Sequence, residues 1–360
     1  MTWTAPPPRS THPYYMHDTI YTQPGALRLV MRPNGAAVEG AAERLRSMDL
    51  VVLCGIGTSW HAALVGELML ARVGGLGHRV RTVHSFELAS YWPAPPARTG
   101  VIAVSHRGSK RFSQEALAHA KSESGVGITL TGKDAAAMGD AEFSLVTVDQ
   151  ESSAAHTASY TAALAVLAAL AAAVGGDDEF GHALEPVPDQ LALLLGQESW
   201  EELATRYGDR RRYWFVGGGP NTATAYEAAL KMSETNYATA SGFNCEQFLH
   251  GAYAAMSEED LLVLVAPPGP SHARCLDAAR VAKAIGTPVI ALAREDDREL
   301  NALATESIAL PEIDELLSPI LAVVPLQLLA YHIAVRQGVN PDIMRTGELA
   351  YARAREHVSL

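Results

Sequence analysis

Short unbroken runs of aliphatic and β-branched residues alternate along this chain with longer stretches whose apolar positions recur every three or four residues. Runs such as "LVVL", "VIAV", "YWFV" and "LLVLV" carry no polar alternation, as expected of strands covered on both faces. The stretches between them, among them "SWHAALVGELMLARVG" and "AYEAALKMSETNY", read as amphipathic helices. Such alternation predicts βαβ units, and therefore α/β architecture: parallel, doubly wound sheets with helices on both faces in three αβα layers. The most apolar segment, Thr161 to Gly175, is shorter than the roughly 20 residues of a bilayer span, so it is predicted to be a buried helix.

The pattern occurs twice. "LVVLCGIGTSWHAALVGELMLARVG" followed by "GVIAVSHRGSKRFSQEALAHA" has a weak counterpart in "YWFVGGGPNTATAYEAALKMSETNY" followed by "DLLVLVAPPGPSHARCLDAARVAKAIGTPVIALARED". Two domains related by internal duplication follow, at residues 21–178 and 186–340. Between them "GGDDEFGHALEPVPDQ" supplies the Gly, Asp and Pro breakers of a linker. Residues 1–20, rich in proline and polar side chains, read as an extended N-terminal arm, and residues 341–360 as a C-terminal tail.

Composition narrows the partners. With 360 residues and a net charge of −12, the chain has ample core-forming content and lacks the cationic excess by which nucleic-acid binders neutralise phosphates. The cysteines Cys54, Cys245 and Cys275 are scattered without CxxC spacing, which fits a reducing cytoplasm, and the N-terminus has no apolar stretch of the signal-peptide kind. Thirteen histidines show no HExxH or comparable ligand spacing, so neither a metal nor an organic cofactor is expected.

Two glycine turns carry the candidate chemistry. In "CGIGTSWHAALVG", Thr58 and Ser59 open a helix behind Gly57, where hydroxyls, unpaired amides and the helix dipole can hold an anion. One of them could equally be an ordinary N-cap. The spacing does not complete GxGxxG, which argues against a dinucleotide. In "AVSHRGSKRF", Ser105, His106, Arg107 and Lys110 surround Gly108 at a strand end. Cations are disfavoured at the positive end of a helix, so an anion site explains them better than a solvated helix start.

At these residues the chain resembles the sugar isomerase (SIS) family, and within it the isomerase half of glucosamine-6-phosphate synthase and the related two-domain aminosugar-phosphate deaminases. The resemblance runs from about Tyr21 to the C-terminus and is best in "CGIGTSWHAALVG", "AYEAALKMSETNYATASGFNCEQFLHGAY" and "VVPLQLLAYHIAVRQG". It implies that Thr58, Ser59 and Ser105 hold the phosphate of a sugar phosphate, with Gly57 elsewhere in the substrate site. It also matches Lys231, Glu234 and His250 to the family's Lys, Glu and His at the same intervals, Glu234 as proton shuttle between C1 and C2 and His250 as ring opener. The family's histidine reaches the neighbouring subunit's site, which implies a homodimer with shared sites, and Glu246 matches a supporting acid. Helical spacing alone would make Glu227 and Lys231 rungs of a surface ion-pair ladder.

The chain departs from the family in three places. The second turn, usually Ser-Gln-Ser-Gly-x-Thr, here reads Ser105-His106-Arg107-Gly108-Ser109-Lys110. The Glu-x-x-Val-Ala-Ser-Thr-Lys segment retains Glu151 and Thr157, but His156 stands at the Ser and Ala158 at the Lys position. The terminal segment, Arg-Asn-Leu-Ala-Lys in the synthase, has Tyr351 in place of the imine-forming lysine. A hydrogen bond from Tyr351 to the sugar and closure of the site by the tail are the expectations there. Only about twenty residues precede the resemblance, too few for a glutaminase domain. The implied function is therefore glutamine-independent isomerisation of a hexose or aminohexose phosphate coupled to ammonia release. The alternatives are a plain sugar-phosphate isomerase and a non-catalytic phosphosugar sensor.

Overall fold

The computed structural model describes residues 4, 6–30, 34–120, 124–139, 141–197 and 200–358. It contains two five-stranded parallel sheets. The first is built from β1 (Leu50–Gly55), β2 (Val80–His84), β3 (Thr99–Val104), β4 (Val126–Thr131) and β5 (Phe143–Val146), in the order β2-β1-β3-β4-β5. The second is built from β6 (Tyr213–Gly217), β7 (Ala240–Asn244), β8 (Leu261–Val265), β9 (Val289–Ala293) and β10 (Glu306–Ala309), in the order β10-β9-β8-β6-β7. Renumbered within its own half, the second order is the first read from the other edge. The duplication expected from the sequence is thus a duplication of topology, and the fold class is α/β in two doubly wound units.

The central strands are buried along their length, β3 and β8 at every position, which explains why their sequences lack polar alternation. Two helices form the middle of the molecule, Ala158–Gly175 and Ser318–Arg336. Both are long and apolar enough to cross a membrane, yet 83% and 94% of their most apolar windows are buried inside the protein, so each is accounted for as a core helix.

The N-terminal arm is not extended throughout. A helix, Tyr15–Val30, begins inside it, and only residues 4 and 6–14 of its described part precede that helix. Its first turn is capped from the far end of the chain: the Asp342 carboxylate accepts the Tyr15 N–H at 2.8 Å and the Met16 N–H at 2.9 Å. Pro24 cannot donate to the carbonyl of Ile20, and the Gln23 amide donates to it instead, at 3.0 Å. The same amide donates to Gln327, while its oxygen accepts from Thr161. One fully buried glutamine therefore joins three helices.

The stretch read as a linker is also more ordered than its composition suggests. Gly176, at φ +65°, ends the Ala158–Gly175 helix, and Asp177 caps a short helix, Asp178–His182, whose Phe180 is buried. The breakers stop and restart helices here rather than opening the chain.

Two outcomes follow. Asp342→Ala removes the cap and should cost about 1 kcal/mol, with faster amide exchange confined first to residues 15–20. His332 is buried on the Ser318–Arg336 helix, and burial, against the pull of Glu201, lowers its pKa from 6.5 to about 4. The unfolded chain takes up that proton near 6.5 and the folded chain does not, so stability should fall as pH drops from 6.5 towards 4. Melting curves of His332→Gln should show a shallower acid decline; an unchanged decline would assign it to other groups.

Candidate active site

The sheet order reverses between β1 and β3: β2 lies on one side of β1, and β4 and β5 on the other side of β3. Helices leaving these two strands diverge to opposite faces, and a crevice opens at the carboxyl ends. Both glycine turns flank it. A Cβ on Gly55 would lie 2.5 Å from the Ser59 carbonyl, so only glycine lets the helix start this close to the strand. Gly57, at φ +56°, then turns the chain into the Thr58–Arg72 helix.

The second unit closes this crevice with its helix Asn221–Thr235, which packs against Thr58–Arg72. Glu227, Lys231 and Glu234 lie on the facing side. Lys231 is fully buried, with Nζ 3.2 Å from Glu227 Oε1, donating to Thr58 Oγ1 at 3.2 Å and in tight contact with Glu234 Oε2. The Thr58 hydroxyl donates to Glu227 Oε1 at 3.0 Å, and His61 Nδ1 lies 2.7 Å from Glu227 Oε2. The ion-pair ladder expected on a solvated face is instead an interior cluster, because the whole face docks on the other unit. The side chains of Lys231 and Glu227 are 0% exposed, whereas Glu234 keeps 18% of its side chain open.

That difference in exposure goes with a difference in proton affinity. Burial raises Glu227, but Lys231 and His61 outweigh it and hold its pKa below the ordinary value. Burial also raises Glu234; Lys231 opposes this incompletely and Glu227 adds to it, so its pKa stays above 4.5. Burial disfavours the Lys231 ammonium, yet the two carboxylates more than offset that and keep it charged. Two carboxylates on one helix are thus split into a fixed anion and a titratable, partly exposed group.

The opposite wall comes from the second turn and the loop ahead of the Ala158–Gly175 helix. The cleft lies between Thr58, Ser59, His106, His156 and Ser159. Ser105 and His106 are buried and Arg107 and Lys110 half-buried in the same turn. Burial, reinforced by Arg107 and then Arg355, lowers the Lys110 pKa. Glu151 is buried, and its carboxylate accepts from the Thr157 N–H, the Thr157 hydroxyl and the Ser159 N–H.

Four expected site residues are not assembled with the cluster. Thr157 is fully buried with its hydroxyl on Glu151, so it supports the loop rather than facing a ligand. His250 is exposed, its Nδ1 2.9 Å from the carbonyl of Glu246, and Glu246 is held by Arg274 at 2.5 Å. Neither has a recorded contact with Lys231 or Glu234. Tyr351 stacks under the Arg345 guanidinium, 3.8 Å from the ring centroid, and accepts from Arg345 Nη1. Arg345 also lies over Tyr237, so the tail is anchored on the second unit by cation-π contacts. The Thr58 hydroxyl, expected on a phosphate, is taken by Lys231 and Glu227.

Sequence reasoning missed Glu227 and His61 as site residues. The available signal was spacing: Glu227 lies one turn before Lys231, and His61 lies one turn after Thr58, so each shares a helical face with a residue already singled out.

Fold and site together define a duplicated, doubly wound α/β protein with a cleft at the first switch point, beside a buried charge cluster. The SIS domain model matches residues 44–173 and 207–336, and the chain belongs to that family, with two copies of the domain. It is 31% identical over 348 residues to the glutamine–fructose-6-phosphate aminotransferase (isomerizing) of Thermococcus kodakarensis, covering 93% of this chain and 57% of that protein. The chain thus spans little more than half the length of such relatives. Among solved structures, the C-terminal domain of glucosamine-fructose-6-phosphate aminotransferase from Francisella tularensis matches with a TM-score of 0.84 at 19% identity, over 92% of this chain and 98% of that one. Tagatose-6-phosphate ketose/aldose isomerase from Escherichia coli matches at 0.79 and 19%, over 95% and 98%. At such identities these likenesses establish the fold.

The cluster makes a stability prediction. Glu227→Ala leaves a buried ammonium short of an anion and should lower the unfolding free energy by about 3–5 kcal/mol in urea titrations. Glu227→Leu combined with Lys231→Met removes the charges together and should recover most of that loss.

Proposed function

We propose that the chain catalyses aldose-ketose isomerisation of a phosphorylated hexose or aminohexose, with Glu234 relaying the proton. The observation that carries this reading is that a partly open carboxylate of raised pKa lies one ammonium away from Thr58 of the anion-binding turn. A base that must take a proton from one carbon and return it to the next works best with a pKa drawn towards neutrality. Phosphate bound at the amides of the first helix turn would fix one end of the open-chain sugar and leave C1 and C2 at Glu234. Glu234 removes the C2 hydrogen of the aldose as a proton, the electrons form the enediol or enolamine, and the same carboxyl returns the proton to C1. Lys231, pinned by Glu227, supplies positive charge beside the oxygen that becomes negative.

With an amino group at C2 the isomerised product is an imine, and water cleaves it to the ketose phosphate and ammonia. We favour this deaminating direction, in which no glutamine takes part. The likeness to the aminotransferase of Thermococcus kodakarensis supports the aminosugar, and the absence of a lysine at position 351 argues against an imine between sugar and protein. Ring opening would fall to His250 of a second copy of the chain, which accords with its exposure here.

In deuterated water, glucosamine 6-phosphate incubated with the protein should acquire deuterium at C2 and release ammonia with ketose phosphate. Glu234→Gln should slow exchange about 10²–10⁴-fold. The acid limb of kcat/KM should lie above pH 4.5, since activity needs the carboxylate and its pKa is raised. Tight binding of hexose 6-phosphates without exchange in any of them would replace the enzyme with a sensor.

A further inference from the structure

On the wall of the cleft, two loops that are far apart in sequence meet. His106 comes from the turn after β3, and Glu151 and His156 from the loop leading into the Ala158–Gly175 helix. One potential ligand atom from each of the three lies within 4.8 Å of the others. The two imidazoles meet edge to face with 4.8 Å between centroids. His106 is 8% exposed and Glu151 4%.

The hydrogen bonding around these groups is incomplete in a specific way. His106 Nε2 accepts the Glu151 backbone N–H at a long 3.3 Å, and His106 Nδ1 is buried with no hydrogen-bond partner. A buried ring nitrogen without a partner calls for an explanation. The Glu151 carboxylate, by contrast, is oriented by three donors, from Thr157 and Ser159, and still has lone-pair capacity. Fixing a carboxylate by hydrogen bonds from behind is how ligand groups are held ready. The resemblance to the SIS family puts Gln at the position of His106 and Ser at that of His156. Here both are histidine, and the two rings touch.

We propose that His106, Glu151 and His156 form a binding site for one divalent transition-metal ion of the zinc or cobalt class, open towards the cleft edged by Thr58 and Ser59. Two imidazole nitrogens and one carboxylate oxygen favour these ions over magnesium or calcium, which select oxygen ligands. Three protein ligands leave a coordination position for an exogenous oxygen, as in open rather than structural sites. Zinc bonds of about 2 Å require the three groups to draw together by small side-chain rotations. Coordination by His106 would use the Nε2 lone pair, giving up its long bond from the Glu151 N–H, or Nδ1 in the other tautomer. An anion in the cleft could occupy the open position. This site does not depend on the isomerase reading.

The test is direct binding to the full chain after chelator treatment. Cobalt titrated by its visible absorption, and zinc by calorimetry, should each saturate at one equivalent, and zinc should raise the melting temperature. His106→Gln and His156→Ser, which install the residue types of the related family and so should preserve the fold by circular dichroism, should each weaken binding about 100-fold or more. His12 and His17, whose rings meet at 5.3 Å, are the competing pair. His12→Ala with His17→Ala should leave the affinity unchanged. Absence of a saturable equivalent, unchanged binding in both cleft variants, or loss of binding in the His12/His17 variant would each overturn the proposal. Because the readout is metal binding, failure here would leave the isomerase reading standing, and failure of C2 exchange would leave the metal site standing.

Discussion

An ammonium cut off from water is unfavourable unless opposite charge surrounds it, and the joint between the two units of this protein is built around one. Lys231 comes from the second unit, as do Glu227 and Glu234, while Thr58 and His61, which complete the shell, come from the first. Separating the units would strip Glu227 and Lys231 of those partners. The relative position of the helices Thr58–Arg72 and Asn221–Thr235 is therefore set by a polar requirement as well as by packing. The same requirement fixes Glu234, since its carboxylate shares the ammonium that the joint already immobilises.

The three long helices outside the sheets reinforce that joint by a similar device. Gln23, Thr161 and Gln327 are all fully buried and satisfy one another across helices from the N-terminus, the first unit and the second. An apolar contact would tolerate sliding by a turn; a paired amide does not, because each misplaced donor would be left without a partner. The proline that interrupts the first of these helices is accommodated by the same Gln23. Core helices that the sequence marks as uniformly apolar thus take their register from a few polar atoms.

Local pattern made the sheets legible: buried parallel strands are short aliphatic runs, and both copies show them in the same order. Lys231 and Glu234 were legible through the resemblance to the SIS family, and their three-residue spacing places them on one face. Whether that face meets water or another unit is not a local property, and so Glu227 read as a surface rung although it lies at the centre of the cluster. The N-terminal arm misread for a related reason. Its proline-rich composition argues for an extended chain, and the carboxylate that caps its helix is Asp342, more than three hundred residues away. His106 and His156 each stood out as departures from a motif, but only the folded loops bring them into contact. His250 matches its motif and yet lies exposed in the single chain, where spacing carries no information about distance to the cleft.

Duplication repeats the glycine turn, and the backbone geometry recurs with it. A Cβ on Gly217 would meet the Asn221 carbonyl at 2.4 Å, as one on Gly55 would meet that of Ser59, and Gly219 at φ +53° repeats Gly57 at φ +56°. What differs is the occupant. The Glu315 carboxylate lies against the second turn: a Cβ on Gly219 would be 3.4 Å from its Oε1, and one on Gly269 would be 2.4 Å from the carboxyl group. Asn221, at the start of that helix, turns its side chain away to Ser318 at 2.8 Å. A carboxylate of the chain thus lies against each turn, but the one at the first, Glu227, is paired with the Lys231 ammonium. The second unit contributes its chemistry from the next turns of the same helix, at Glu227, Lys231 and Glu234, directed into the first unit's crevice. One copy of the duplicated fold lines the cleft from its glycine turn, and the other supplies the charged groups from the helix that follows its own.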